Sequence, residues 1–440
     1  MKQRSERDRG VLAEPPRADA DEATAHRRET NSFLGNTFAS LAYRDFVYLW
    51  LGQITHAGAL WMDMVARPLL VLSVTGSPVH LGLVIAVRSI PAFGLGLVAG
   101  VVADNFNRRT VLIVTKAIVL ALATVFAILL LLGQIELWHI YLFTFLRGVS
   151  QAFDQPARRA MVPSIVPKHL VTNALALSSG SVQLMRIFGA GGAGLIIAFG
   201  GIETVFVAVA VIYAGAVFFT WQLRPPDHAR TGYRGIRSAL NDLVQGFRFA
   251  WGSPTIRGIV IVAAGYFTFG MAFMYVFAPL LAKRVLEIGD SGFGYMMGAM
   301  GIGGVIGTLA LAAMSPQRKR GQILAGALAI LGLLLVAVSL VTYIGSVATA
   351  FVMIVFLGLG QSWLLPLINA TLLEVTPENM RGRMLGLLSL DRATATLGGA
   401  IAGFLAAAVG PQVAQIVFGG ACIVTAAMLI VFYPTIRRIE

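Results

Sequence analysis

Long apolar runs separated by short polar stretches repeat along almost the whole chain. A hydrocarbon core about 30 Å thick needs about 20 apolar residues per helix, and the runs reach that length. The pattern predicts twelve membrane-spanning helices, over 46–74, 80–103, 110–132, 139–160, 171–199, 203–222, 256–282, 291–314, 321–343, 346–370, 384–408 and 412–434. The polar start of the chain, residues 1–43, contains no apolar segment typical of a signal peptide. We expect a disordered tail there.

The loops between the predicted helices alternate between two kinds. One kind is basic and contains Arg108, Arg109, Arg158, Arg159, Lys168, Arg224, Arg230, Arg234, Arg237, Arg318, Lys319, Arg320, Arg381 and Arg383. The other kind is short and acidic or neutral, and Lys283 and Arg284 are its exception. Basic residues accumulate in cytoplasmic loops. The charge pattern therefore predicts that both termini of the chain are cytoplasmic.

The longest internal loop, 223–255, divides the chain into two six-helix bundles, 44–222 and 256–434, with a short cytoplasmic tail at 435–440. Apolar residues recur at helical spacing within this loop, which predicts an amphipathic helix that lies on the membrane surface or packs on the protein body. A shift of 210 residues carries Gly148, Gln151, Pro156, Pro167 and Gly189 onto Gly358, Gln361, Pro366, Pro377 and Gly399. Such a duplication places substrate between the bundles, near the midplane.

The composition narrows the class of protein. Of the 440 residues, 57% are hydrophobic and 12% are charged, whereas soluble domains carry about 25% charged residues. The net charge of +13 lies in loop ends, which argues against nucleic-acid binding. The single cysteine, Cys422, excludes an internal disulfide and a multi-cysteine metal site. Because no catalytic motif of hydrolases or redox enzymes occurs, we expect neither an enzyme, nor a cofactor, nor a metal.

Ionisable residues within the predicted spans are candidates for proton coupling, because a charge inside a bilayer is costly. They are Asp63 and Arg67 in the first span, Arg147 and Asp154 in the fourth, and Asp391 near the start of the eleventh. Asp63 and Arg67 are four residues apart on one helix face, so an ion pair that only stabilises the bundle is the alternative. Burial of Asp154 disfavours its charged form, whereas nearby arginines favour it. The sequence leaves the balance open.

Two further arginines and a set of aromatic residues are candidates for contact with a substrate. Arg88 and Arg186 lie in the second and fifth spans, and the second half supplies Tyr266, Phe269, Phe273, Phe356 and Trp363. An apolar pocket with few polar groups suits an aromatic or amphipathic small molecule. Some of these rings must face lipid instead. Arginines outnumber aspartates in the spans, which favours an anionic or catechol-bearing substrate.

The loop 100–110, GVVADNFNRRT, resembles the signature G-x-x-x-D-x-x-G-R-[RK] between spans 2 and 3 of major facilitator superfamily transporters. Gly100, Asp104, Arg108 and Arg109 match, whereas Asn107 replaces a glycine of the signature. The resemblance implies that this loop is a conformational latch between the two halves at the cytoplasmic face. The segment RGVSQA at 147–152 resembles the span 4 motif, which implies a coupling role for its arginine.

The segments 43–53 and 153–177 resemble one bacterial group, which contains the enterobactin exporter, macrolide efflux proteins and transmembrane secretion effectors. This resemblance covers about 43–434. It implies proton-driven export of a small organic compound, such as a drug, macrolide or siderophore, across the inner membrane by alternating access. We expect the protein to function as a monomer, with small-molecule substrate, protons and lipid as its partners. A proton-coupled uptake symporter and a non-transporting membrane sensor or assembly protein remain alternatives.

Overall fold

The computed structural model describes residues 38–224, 236–314, 320–378, 380–381, 383–384 and 391–433. Side chains are described for all of these except 92–93, 97, 103–104, 236–240, 242–243, 320 and 391–393. The predicted tails at 1–43 and 435–440 therefore lie mostly or wholly outside the described residues.

Every regular element in the described part of the chain is a helix. The helices are α1 Arg44–Thr75, α2 Pro78–Asn105, α3 Arg108–Leu131, α4 Leu137–Ile165, α5 Val171–Trp221, α6 Ile236–Gly252, α7 Pro254–Val285, α8 Gly289–Ala313, α9 Arg320–Ile344, α10 Val347–Val375, α11 Asp391–Val409 and α12 Pro411–Phe432. Prolines open α2, α7 and α12, where the missing N–H costs nothing. The prediction of an all-α membrane protein is confirmed.

Helix α5 is two legs rather than one rod. Gly201 has φ of 78° and ψ of 177°, a conformation open to glycine alone, and it separates a leg at 171–200 from a leg at 202–221. By length and composition, nine helices among the described residues can cross a membrane, with both legs of α5 counted together. The charge-bearing α4 and the shorter α11 are outside that set. The count of twelve spans stays a prediction, with which these segments agree.

The helices before α6 (the first half) meet the helices after it (the second half) mainly along two pairs, α2 with α11 and α5 with α8. Both contacts depend on glycine. A Cβ at Gly82 would lie 2.4 Å from the carbonyl oxygen of Gly399, and a Cβ at Gly294 would lie 2.3 Å from the Cα of Gly194. The Arg284 side chain also donates across the halves to the carbonyl of Gly76. These contacts lie toward the end of the bundle that carries the turns at 76–77, 132–136, 286–288, 345–346 and 410, which we call the short-loop end.

The opposite end, which carries 106–107, 166–170 and 376–378, is called the basic end. The glycines of α2 nearest to it are Gly94, Gly96 and Gly100, and no described atom lies within 4 Å of a Cβ built on any of them. Helix α6 lies at this end, where it contacts α2 and α7. Phe247 and Trp251 of α6 stack 5.0 Å apart and are about half exposed. Among the described residues, the close glycine contacts between the halves thus lie toward the short-loop end and not at these three glycines.

Equivalent glycines of the two halves occupy equivalent places. Gly148 of α4 lies against α2, where its Cβ would be 2.3 Å from the carbonyl oxygen of Arg88. Gly358 of α10 lies against α8, where its Cβ would be 2.0 Å from the carbonyl oxygen of Met300. The 210-residue shift that relates these glycines in sequence therefore relates helix crossings in space.

Helix α7 departs from α-helical geometry at three points. Its stretches Tyr266–Gly270, Phe273–Phe277 and Leu281–Val285 are π-helical turns. Such turns insert one extra residue and are frequent at functional sites. The turn Phe273–Phe277 includes Tyr275, which lines the space between the halves.

Candidate functional site

A cavity of about 210 Å³ lies between the two halves. Its lining is Asp63, Met64, Arg67, Pro68, Val71, Leu81, Val84, Ile85, Arg88, Ser89, Thr144, Arg147 and Gln151 from the first half, with Tyr275 and Ala395 from the second. Helices α1, α2 and α4 thus supply nearly all of the described walls. The volume lies below the range of about 300–1,000 Å³ that is usual for pockets of drug-sized ligands, so it suits a small organic molecule.

One buried carboxylate holds two arginines at the wall of this cavity. Asp63 Oδ1 lies 2.5 Å from Arg67 Nη2, and Asp63 Oδ2 accepts a hydrogen bond from Arg67 Nε at 3.1 Å. Asp63 Oδ2 also lies 2.6 Å from Arg147 Nη1, and Arg147 Nη2 donates to the hydroxyl of Tyr213 at 2.8 Å. The i, i+4 pair expected on α1 therefore exists, and α4 adds a third member that links it to α5.

The cavity carries more positive charge than negative. Arg88 lines it and donates to Gln151 Oε1 at 3.2 Å, and no carboxylate of a described residue lies within 4 Å of its guanidinium. With Arg67, Arg147 and Asp63, the ionisable lining has an excess of two positive charges. Such a wall attracts an acidic group. Among the described residues, no cluster of three or more His, Cys, Asp or Glu side chains could hold a metal ion.

Asp154 belongs to a second buried charge cluster, outside the cavity. Its carboxylate lies 3.4 Å from Lys116 Nζ and 3.3 Å from Arg158 Nε. Lys116 is only 2% exposed. Lys116 is absent from the site residues predicted in the sequence analysis. It is the single ionisable residue in the apolar run 111–132, and a lone charge in such a run could have identified it as a candidate.

Arg186 does not line the cavity. Its Nη2 donates to Gln361 Oε1 at 2.8 Å, and its guanidinium lies 5.3 Å from the centre of the Trp61 ring. The bond joins α5 to α10 and therefore crosses between the halves. The glutamines at 151 and 361, related by the internal duplication, each accept a bond from a buried arginine.

The five predicted aromatic contacts are also absent from the described cavity wall. Phe356 is 49% exposed and does not belong to the described lining, so its assignment to the cavity gains no support from the structure. Phe273 is fully buried in the core, Phe269 packs edge-on to Phe418 at 5.4 Å, and Tyr266 is buried within α7. Trp363 donates to the carbonyl of Gly307 at 2.7 Å and joins α10 to α8. Among the side chains that the structure describes, Tyr275 is the aromatic one that lines the cavity.

The residues of the predicted latch lie at the basic end. Arg108 Nη1 donates to the carbonyl of Ala160 at 2.8 Å, and Arg109 Nη2 donates to that of Trp221 at 2.9 Å, so both tie α3 to other helices of the first half. Asn107 caps α3 by accepting from the backbone N–H of Arg109. Gly100 makes no close helix approach to a described residue. The side chains of Asp104 and Asp391 lie outside those that the structure describes.

Known proteins resemble this chain over most of its length. The family model described as transmembrane secretion effector matches residues 35–440. Relatives include the multidrug efflux pump Tap of Mycolicibacterium fortuitum (26% identical; 86% of this chain, 93% of the relative), the staphyloferrin A transporter of Staphylococcus aureus (25%; 82% and 86%) and the enterobactin exporter EntS of Shigella boydii (25%; 92% and 96%).

A crystal structure of a mutant of the nucleoside transporter NupG is similar in fold, with a TM-score of 0.71 at 12% identity over 88% of this chain and all of that one. The family match covers far more than half of the sequence, and the fold agrees with it. The chain belongs to the transmembrane secretion effector family, within the major facilitator superfamily of transporters.

Proposed function

We propose that the protein is a proton-coupled exporter that moves a small organic anion across the bacterial inner membrane by alternating access. The observation that carries this proposal is the cavity between the halves, in which one buried carboxylate, Asp63, binds two arginines. A protonated Asp63 would release Arg67 and Arg147, since a neutral carboxyl group no longer balances their charge. The site can therefore exchange a proton for an anion.

The substrate class follows from the charge of the lining. Arg88 offers a guanidinium whose described partner is the neutral amide of Gln151, and guanidinium groups bind carboxylates and other planar acids through paired hydrogen bonds. Val71, Leu81, Val84 and Ile85 supply apolar wall beside it. A molecule with one acidic group and an apolar body fits both. The relatives whose names mention drug efflux and siderophore transport support a small-molecule substrate.

Orientation follows from charge. The basic end is assigned to the cytoplasm because arginine and lysine accumulate there, which leaves the contacts at the short-loop end on the outer face. In this arrangement the cavity is closed from outside, and the next step of the cycle requires α2 and α5 to part from α11 and α8. The two bundles 44–222 and 256–434 are assigned as the moving bodies, and Asp104 as the carboxylate that holds them together at the basic end in the other state.

The test uses purified protein in proteoliposomes that contain a pH-sensitive dye. An imposed proton gradient, with the acidic side facing the short-loop end, should drive accumulation on that side of a compound from a panel of siderophores and macrolides, and the acidic siderophores should be preferred. Compound entry should be matched by proton movement in the opposite direction. Movement of compound and proton in the same direction would identify an uptake symporter. Absence of any flux across the whole panel would favour a sensor or assembly protein.

A further inference from the structure

Arg186 is a buried cation that has no anion beside it among the described residues. It is 9% exposed, and the described part of the chain gives it one hydrogen bond, from Nη2 to Gln361 Oε1 at 2.8 Å. No described carboxylate forms an ion pair with it. Buried charges are otherwise paired, because burial without a counter-charge is costly. A neutral amide supplies no such charge, and it leaves most N–H donors of the guanidinium without an acceptor.

The indole of Trp61 lies beside this arginine and also lacks an acceptor. The centre of its ring is 5.3 Å from the guanidinium carbon of Arg186. Its Nε1 is a buried donor without a hydrogen-bond partner among the described residues. Indole and guanidinium groups donate hydrogen bonds and cannot accept them. What both side chains lack is therefore an acceptor, and an anionic oxygen is the acceptor that also balances the charge.

Helix α8 leaves a gap beside Nη1 of Arg186. Gly303 is required by the crossing of α8 and α10, because a Cβ there would overlap the carbonyl oxygen of Val355. Gly304 is under no such constraint. A Cβ built on it would lie 3.8 Å from Arg186 Nη1 and 3.8 Å from the carbonyl oxygen of Gly358, which is ordinary van der Waals contact. The missing side chain thus leaves room for an acceptor next to a guanidinium donor.

Trp61 and Arg186 adjoin the cavity on the side of the basic end. Met64 lines the cavity and follows Trp61 on α1 by three residues, so the two side chains share one helix face. Tyr275, which lines the cavity from the second half, interacts electrostatically with both Arg88 and Arg186. In the proposed orientation, the compound enters the cavity from this side.

We propose that Arg186 and Trp61 form a second anion subsite, and that the transported compound carries two acidic groups, one bound at Arg88 and the other at Arg186. The acidic group replaces the amide of Gln361 and binds the guanidinium through paired hydrogen bonds. The Arg186–Gln361 bond joins the two halves, so its replacement removes a contact that opposes their separation. This proposal rests on the proposed transport of an organic anion and extends its substrate from one acidic group to two.

The experiment measures binding to the purified protein by isothermal titration. The probes are the dicarboxylates adipate, suberate, sebacate and dodecanedioate, which increase in length, each compared with its own monomethyl ester. The ester keeps the apolar body and one acidic group. At the length that spans both arginines, the diacid should bind about 10- to 150-fold more tightly than the ester, because it gains a charged hydrogen bond. Equal affinities at every length would overturn the proposal.

Three variants separate a subsite from a structural tie between the halves. Arg186→Gln should abolish the preference for the diacid and leave the ester, whose acidic group binds at Arg88, unaffected. Gln361→Leu removes the acceptor that competes for Arg186 and should strengthen binding of the diacid. Gly304→Ala fills the gap beside Nη1 without a clash and should weaken binding of the diacid alone. If Arg186 only ties the halves together, Arg186→Gln and Gln361→Leu should have the same effect, and that result would refute the subsite.

A free anion at Arg186 is a further outcome. Sodium acetate that binds to the wild type but not to Arg186→Gln, together with equal affinities for diacid and ester, would assign the subsite to a free anion and overturn the proposed substrate. The titrations need neither flux nor a proton gradient. An Arg186-dependent preference for the diacid in a protein without flux would therefore refute the proposed function alone. Driven transport without that preference would refute this inference alone.

Discussion

The glycine contacts between the halves give a quantitative prediction about the transport cycle. The substitution Gly82→Ala places a Cβ 2.4 Å from the carbonyl oxygen of Gly399, whereas ordinary contacts begin at 3.4 Å. The difference requires α2 and α11 to move apart by about 1 Å. Backbone atoms on both sides of the contact cannot rotate away. The added Cβ therefore destabilises the state in which the short-loop end is closed.

Overpacking of a tight contact costs about 1–3 kcal/mol. Each 1.4 kcal/mol changes an equilibrium tenfold, so Gly82→Ala should shift the balance about 5- to 150-fold toward the state in which the short-loop end is open. Open and closed populations can be read from distances between spin labels on cysteines that replace Gln134 in the first half and Tyr343 in the second, both exposed near that end.

The matched control is Gly420→Ala on α12, where no described atom lies within 4 Å of the added Cβ. This variant should reproduce the wild-type distance distribution. A distribution for Gly82→Ala identical to that of the wild type would refute the steric argument. An equal shift in the control would assign the effect to general loosening of the helices.

Three further substitutions test the site. Asp63→Asn leaves two buried guanidinium groups without their anion, so we expect the free energy of unfolding to fall by about 3–5 kcal/mol. Thermal unfolding in detergent measures this loss. An unchanged stability would argue against the ion-pair geometry. Arg88→Gln should weaken binding of an acidic compound about 10- to 150-fold by isothermal titration, because a charged hydrogen bond contributes about 1.5–3 kcal/mol. Phe356→Ala should leave binding unchanged, since its side chain is absent from the described cavity lining. A weakened affinity would show that Phe356 contacts the substrate.

The helices and their approximate ends could be predicted from the sequence because each apolar run has the length of a bilayer crossing. The internal duplication was also visible, and Gly148 and Gly358 show why: a close helix crossing tolerates no Cβ, so glycine persists at the same register in both halves. The pair Asp63 and Arg67 followed from the four-residue spacing on α1. Arg147 could be named, but its bond to Asp63 depends on how α1 and α4 pack.

The direction in which the aromatic side chains point could not be predicted. Helix α10 is apolar on every face, so its sequence contains no signal that separates a lipid-facing ring from a core ring. The sequence therefore gives the same prediction for Phe356 and Trp363, although Phe356 is exposed and Trp363 donates a hydrogen bond to the carbonyl of Gly307. The partners of Asp154 were hidden for a similar reason, since Lys116 lies on a different helix, 38 residues earlier in the chain.

The π turns of α7 have a consequence for how the second half contributes to the cavity. Each π turn holds one residue more than an α-helical turn, and one residue corresponds to about 100° of rotation. If the extra residue of the turn Phe273–Phe277 moves along the helix, the side chains that it passes change direction, and Tyr275 and Phe277 are among them. Local rewinding of this kind can re-aim the aromatic rings of α7 toward differently shaped molecules while the outer turns of the helix keep their packing.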